Sequence, residues 1–322
     1  MKKTGFAVKA ATFGIIAGIV VFLGRYIYIH WSDIISFDWR INYQLFMFSL
    51  LLLCIPFLMM AVGWHLILRL LSCVTNPLDS IRVYTLSQFA RYIPGNVFIL
   101  VGRAVLAERI GVKRSISSVS VFIEAILSTS GAYFAILILY CFSTKIKIQW
   151  LNPVWTGLLI GTGLLMLNPK LIKFLLRKIH TKINKRGGEV LTLNFTYSQV
   201  LLVCLFYILI WILVGISFYF FLSSLLGNIM GGQSFFDVSA IYLISWIVGF
   251  LSFITPGGIG VREGVLTLGL GQFLPLYLVS VIAIIARIWF TVGEMLGTVI
   301  AHLLPRKLNG ISLVSGNREN RL

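Results

Sequence analysis

Eight ionisable side chains lie inside or beside otherwise apolar sequence: Arg91, Arg103, Glu108, Glu124, Arg262, Glu263, Arg287 and Glu294. A charge at bilayer depth costs at least about 2.5 to 3.5 kcal/mol, so each is expected to meet a partner, a watery cavity or a charged ligand. Arginine is the side chain best shaped for a phosphate, because its planar fork presents paired N–H donors. Arg262 stands in the most specific string of the chain, Thr255-Pro256-Gly257-Gly258-Ile259-Gly260-Val261-Arg262-Glu263-Gly264. Its glycines permit positive φ and bring backbone N–H groups close to an anion, and the helix start that follows adds a favourable dipole. A plainer reading stands beside this one: the glycines let the chain turn tightly, and Arg262 pairs with Glu263 or Glu294.

A second break, Pro94-Gly95-Asn96, precedes Gly102-Arg103, and the two prolines are 256 − 94 = 162 positions apart in a chain of 322 residues. Broken helices at membrane depth are tolerated only where protein or a watery cavity satisfies the freed backbone groups. Paired interruptions in corresponding positions of two halves therefore point to a transport site. Arg262 and Arg103 are expected to contact an anionic headgroup, with Asn96, Gly257, Gly258 and Gly260 supplying further donors and Pro94, Gly95 and Pro256 acting as hinges. Glu124 and Arg287 correspond across the duplication (287 − 124 = 163) and carry opposite charges. They are expected to pair near the centre as a charge gate, with Glu294 the alternative partner of Arg287 and Glu263 beside them.

Composition excludes several other classes. The chain is 58% hydrophobic and 11% charged, whereas a soluble domain averages about 25% charged residues. Net charge is 27 − 10 = +17, but the positives gather at the ends of apolar segments and in one connecting stretch, a pattern that argues against nucleic-acid binding. Cys54, Cys73, Cys141 and Cys204 lack metal or disulfide spacing, and His30, His65, His180 and His302 are equally scattered, so no metal or other cofactor is expected. No G-x-x-x-x-G-K-[ST] loop is present, which argues against ATP hydrolysis by this chain. No nucleophile and base stand together, so an enzyme is not expected.

The elements that must position these residues are helices. Six stretches can cross about 30 Å of hydrocarbon: roughly 8–29, 44–72, 116–142, 150–168, 196–226 and 276–303. The first exceeds the h-region of a signal peptide and reads as a retained span. Pro56 is expected to kink the second. Residues 78–93 with 97–109, and 235–254 with 261–272, flank the two breaks and read as re-entrant hairpins, although 235–254 is nearly long enough to span. Lys and Arg favour cytoplasmic loops; the positives of 169–189, read as an internal loop, share a side with both termini. The expected architecture is all-α, with a first repeat at 1–149, a second and inverted repeat at 150–305, and a cytoplasmic tail at 306–322.

Through Arg91-Tyr92-Ile93-Pro94-Gly95-Asn96 with Gly102-Arg103, and through the Thr255 to Gly264 string, the chain resembles the lysylphosphatidylglycerol synthase transmembrane, or flippase-like, family over residues 8–305. The resemblance implies a lipid-translocating module, found fused to an aminoacyl-transferase domain or alone, and associated with glycolipid or polyprenyl-linked glycan assembly. Because the sequence ends at Leu322, a stand-alone member in a prokaryotic plasma membrane is expected. Its partners would be membrane lipids. An alternative is a non-transporting scaffold that anchors a glycosyltransferase or lipid-modifying enzyme through the basic stretch 169–189.

Overall fold

Helix starts are marked in the sequence and used in the structure. Asn42 and Asn76 each turn a side-chain oxygen onto a backbone N–H of the helix that follows, Leu45 and Leu78 respectively, both at 3.0 Å, and Pro77 takes a first-turn position where no N–H is required. Thr196 and Gln199 form a reciprocal capping box. The computed structural model describes residues 21, 24–26, 28–92, 98–143, 161, 163–165, 167–183, 193–227, 235–252 and 258–304. Within them the helices are α1 (Trp31–Ser36), α2 (Tyr43–Leu70), α3 (Pro77–Gln88), which runs into a 3-10 turn at Phe89–Tyr92, α4 (Phe98–Glu108), α5 (Arg114–Cys141), α6 (Pro169–Ile183), α7 (Tyr197–Leu226), α8 (Phe235–Leu251), α9 (Val261–Leu270) and α10 (Leu276–Leu303). The described residues contain no strand.

Helices α2, α5, α7 and α10 have 28 to 30 residues each and are apolar enough to cross a membrane; at 1.5 Å per residue they exceed the hydrocarbon thickness. They match four of the six expected spans. The spans at 8–29 and 150–168 lie mostly outside the described residues. Helix α8, with 17 residues, reaches only about 25 Å, and α3, α4 and α9 are shorter, as expected for segments that do not cross alone. Helix α2 continues through Pro56.

The basic stretch expected as a loop is helical over Pro169–Ile183. The physical reason is an apolar stripe hidden among the charges: Ile172 and Leu176, four positions apart, are buried, while Lys170 and Arg177 are exposed.

Two runs of helices share one order: long, short, short, long. Helices α2 to α5 form the first and α7 to α10 the second, and α5 and α10 are offset by 162 residues at both ends (276 − 114 and 303 − 141). Packing repeats as well. The contact between α2 and α7 joins equivalent helices, and α2 with α10 has its counterpart in α7 with α5. Likewise α3 with α10 answers to α8 with α5, and α4 with α5 to α9 with α10. Glycines let these helices close on one another: a Cβ on Gly131 would stand 2.6 Å from Tyr207 Cβ, and one on Gly293 would stand 2.5 Å from Leu53 Cδ2. The core that results includes Trp64, Tyr207, Trp211, Phe218, Tyr242 and Trp289.

Candidate functional site

Each half builds a buried ion pair between its second short helix and its last long one. In the first half, α4 carries Arg103 and α5 carries Glu124; their side chains are 2% and 12% exposed and form a salt bridge. Arg103 Nε also donates to Ser87 Oγ at 3.0 Å, and Tyr84 donates its hydroxyl to Glu124 Oε1 at 2.8 Å. The guanidinium carbon stands 4.4 Å from the Tyr84 ring centre and 5.4 Å from that of Trp64, so the charge is held by a carboxylate, a hydroxyl and two aromatic rings. Such a cage is what a cation this deep requires.

In the second half the pair reappears with its charges exchanged. Glu263 on α9 accepts from Arg287 Nη1 on α10 at 2.6 Å, with the side chains 7% and 27% exposed. The other Glu263 oxygen accepts the Gly260 N–H at 2.6 Å, which closes the start of α9 from N-cap to N3. Arg262 donates to the Tyr242 hydroxyl, and its guanidinium carbon lies 5.0 Å from the Tyr242 ring centre and 4.5 Å from that of Phe290. A neutral pair shows the same exchange of roles. Trp211 Nε1 on α7 donates to the Ser128 carbonyl on α5 at 2.9 Å, and Trp289 Nε1 on α10 donates to Ser49 Oγ on α2 at 3.2 Å.

The expected arrangement is therefore corrected in two places. Glu124 and Arg287 do not form the central pair; each finds its partner inside its own half, because α4 packs on α5 and α9 on α10. The Gly260 N–H, expected to await a ligand anion, is occupied by the carboxylate of Glu263. Glu294 is 3% exposed and lines a cavity of about 10 Å³ with Phe57, Tyr84, Thr85, Gln88 and Thr298. That volume admits roughly one water and falls far below a ligand pocket.

Other expectations are placed as follows. Gly258 is buried, with φ of +69°, and a Cβ there would stand 2.7 Å from the Gly249 carbonyl oxygen of α8. This is the tight turn expected of the glycine string. Asn96, Gly257, Pro94, Gly95 and Pro256 lie outside the described residues. Glu108 forms an exposed pair with Arg114 at 2.6 Å, which is a surface contact. Among the described residues no group of three or more His, Cys, Asp or Glu side chains is placed to hold a metal.

Sequence reasoning missed Tyr84, Ser87, Trp64 and Tyr242, the polar and aromatic side chains around the two arginines. The signal for the tyrosines was present: each stands in its half's first short helix, ahead of the break, as Tyr84 does ahead of Pro94 and Tyr242 ahead of Pro256. It also missed Tyr207, fully buried on α7, whose hydroxyl makes no hydrogen bond among the described residues and which lies near enough to Glu124, Tyr84 and Arg103 to feel their charges.

Among curated proteins and among solved structures, no match is found. A family model does match, over residues 10–293, and its description is the lysylphosphatidylglycerol synthase TM region. The match takes in both interrupted helix pairs and all four members of the two buried ion pairs, and with it the chain is placed as an integral membrane protein of the lysylphosphatidylglycerol synthase TM-region family.

Proposed function

We propose that this membrane domain translocates an anionic lipid, a phospholipid or a polyprenyl-phosphate-linked lipid, across the bilayer without ATP. The headgroup passes between the two halves while the tails remain in hydrocarbon. The observation that carries this reading is the repeated set of interrupted short helices packed against long ones, each with a buried arginine–carboxylate pair beside the break. In this reading the halves are inverted, the pairs α3/α4 and α8/α9 enter from opposite faces, and rocking of one half against the other opens alternate sides. Both termini face the cytoplasm of a plasma membrane. The chain acts as a translocator and not as an enzyme.

Arg262 is the residue that grips phosphate when the halves part: it stands at the start of α9 beside the Gly258 turn, its contacts include a phenol and two ring faces, and its guanidinium fork matches phosphate oxygens. In proteoliposomes holding only the purified protein and a fluorescent phosphatidylglycerol, dithionite quenching should report flipping by the wild type. Arg262→Ala should abolish it at normal expression, and Arg262→Lys should restore it only in part. Full activity in Arg262→Ala would remove Arg262 from the path, and no flipping by the wild type would remove translocation.

A scaffold role is the second reading, and helix α6 favours it. Phe174 is 62% exposed there beside the exposed basic residues Lys170 and Arg177, a surface suited to a glycosyltransferase, a lipid-modifying enzyme or anionic lipids. Flipping by the purified protein alone decides between the two.

A further inference from the structure

Away from the buried pairs, a cavity of about 240 Å³ opens where α3 begins and α4 and α10 end. Its polar lining is Arg82, Arg109, His302 and Asp79, and its apolar lining includes Leu86, 46% exposed, and Leu106. Arg109 has no side-chain partner among the described residues and is exposed. Arg82 Nη2 donates to the Leu304 carbonyl at 2.7 Å and to that of His302 at 3.4 Å, which holds its guanidinium at the rim and leaves Nη1 for another acceptor. His302 Nδ1 stands 2.9 Å from the Thr298 carbonyl, so Nε2 is the nitrogen that remains for a ligand.

The repeat supplies an internal control. Helices α3 and α8 begin 235 − 77 = 158 residues apart, and α5 and α10 begin 276 − 114 = 162 apart. On those offsets, with 162 also used for α4 and α9, Ala240, Gly271 and Tyr140 stand where Arg82, Arg109 and His302 would be. At the equivalent corner Phe142 and Phe236 pack with ring centres 5.2 Å apart, and Ser143 hydrogen-bonds Asp237. The basic character of this corner is thus not imposed by the fold, which places neutral and aromatic side chains at the equivalent helix ends. A bias of positive charge toward one face accounts for the sign of the residues but not for a concave site with apolar walls.

The geometry points to this cavity as a docking site for the phosphate ester of an anionic lipid, held before it enters the path between the halves. The volume lies just under the usual range for ligand pockets, about 300 to 1,000 Å³. It suits a headgroup and not a whole lipid, so the chains run outside along Leu86 and its neighbours. Arg109 and Arg82 would take the phosphate oxygens and His302 would take one more. The inference rests on the translocation reading for its purpose but not for its test.

The test is equilibrium binding, by spin-label spectroscopy, of labelled phosphatidylglycerol and labelled phosphatidylcholine to the full chain in phosphatidylcholine vesicles. Labelled phosphatidylglycerol should be preferred. Arg109→Gln should weaken its association by about tenfold, the loss of one charge-assisted hydrogen bond, and Arg109→Lys should recover part of it. Phosphatidylcholine binding should not change. Equal binding of the two lipids, or an unchanged Arg109→Gln, overturns the site. Displacement of the lipid by millimolar inorganic phosphate alone overturns the lipid as its occupant and assigns the cavity to a free anion. Failure here leaves flipping by the wild type intact, and failure of flipping leaves this preference readable.

Discussion

Arg103 and Glu124 are separated by 21 positions in sequence, yet their side chains, 2% and 12% exposed, depend on each other. Removing one partner of a buried pair leaves an uncompensated charge and costs about 3 to 5 kcal/mol, whereas replacing both with apolar groups costs far less. A double-mutant cycle of Arg103→Ala and Glu124→Ala, read by thermal unfolding of the purified protein, should show a coupling on the order of 2 kcal/mol. The cycle of Arg287→Ala with Glu124→Ala, which joins residues of different pairs, should be additive within about 0.5 kcal/mol. A larger coupling in the second cycle than in the first would restore the cross-half gate expected from sequence. That expectation recognised which residues are buried and charged, because isolated charges stand out against apolar sequence. It misassigned their partners because the 163-residue correspondence of Glu124 and Arg287 says which positions are equivalent, not which positions touch. The contacts are set by α4 on α5 and α9 on α10, and sequence spacing carries no record of that choice.

At the scale of elements, the short helix α9 depends on what Gly258 and Gly260 allow. Gly258 combines a φ of +69° with a backbone approach to Gly249 in which a Cβ would stand 2.7 Å from oxygen and 2.9 Å from Cα, so no flexible side chain can yield. Gly258→Ala should therefore destabilise the protein on the order of 3 kcal/mol, from left-handed strain and overpacking together. At Gly264, where a Cβ meets nothing within 4 Å, substitution by Ala inside the helix should be neutral or stabilising by up to about 1 kcal/mol. Equal loss of melting temperature in both variants would mean that the turn does not constrain α9. The turn was legible because proline and glycine are strong local signals, and the four long spans were legible because length and hydropathy suffice. Helix α6 was not, because charges at Lys170, Lys173 and Arg177 mask the stripe of Ile172 and Leu176. The corner at Arg82, Arg109 and His302 was also invisible, since it is assembled from three helix ends far apart in sequence.

At the scale of the whole molecule, the matched contacts within and between the two runs make α2 to α5 and α7 to α10 two copies of one packing unit. Whether the copies face opposite ways is a question of topology. Lys170 is exposed on α6, and a Lys170→Cys variant in a cysteine-free background should resist a membrane-impermeant maleimide in intact cells and react after lysis. Labelling in intact cells would place α6 outside and overturn the orientation. The exchanged charges of the two pairs bear on how such a molecule rests. If the halves are inverted, two identical copies that trade conformations would make the states open to either side equivalent by a two-fold rotation and equal in energy. Here the short helix carries the cation in one half and the anion in the other, so trading shapes does not reproduce the same electrostatics. On the translocation reading proposed above, these four paired side chains would lift the degeneracy of the two open states, and a resting preference for one side of the membrane would be set before any lipid is bound.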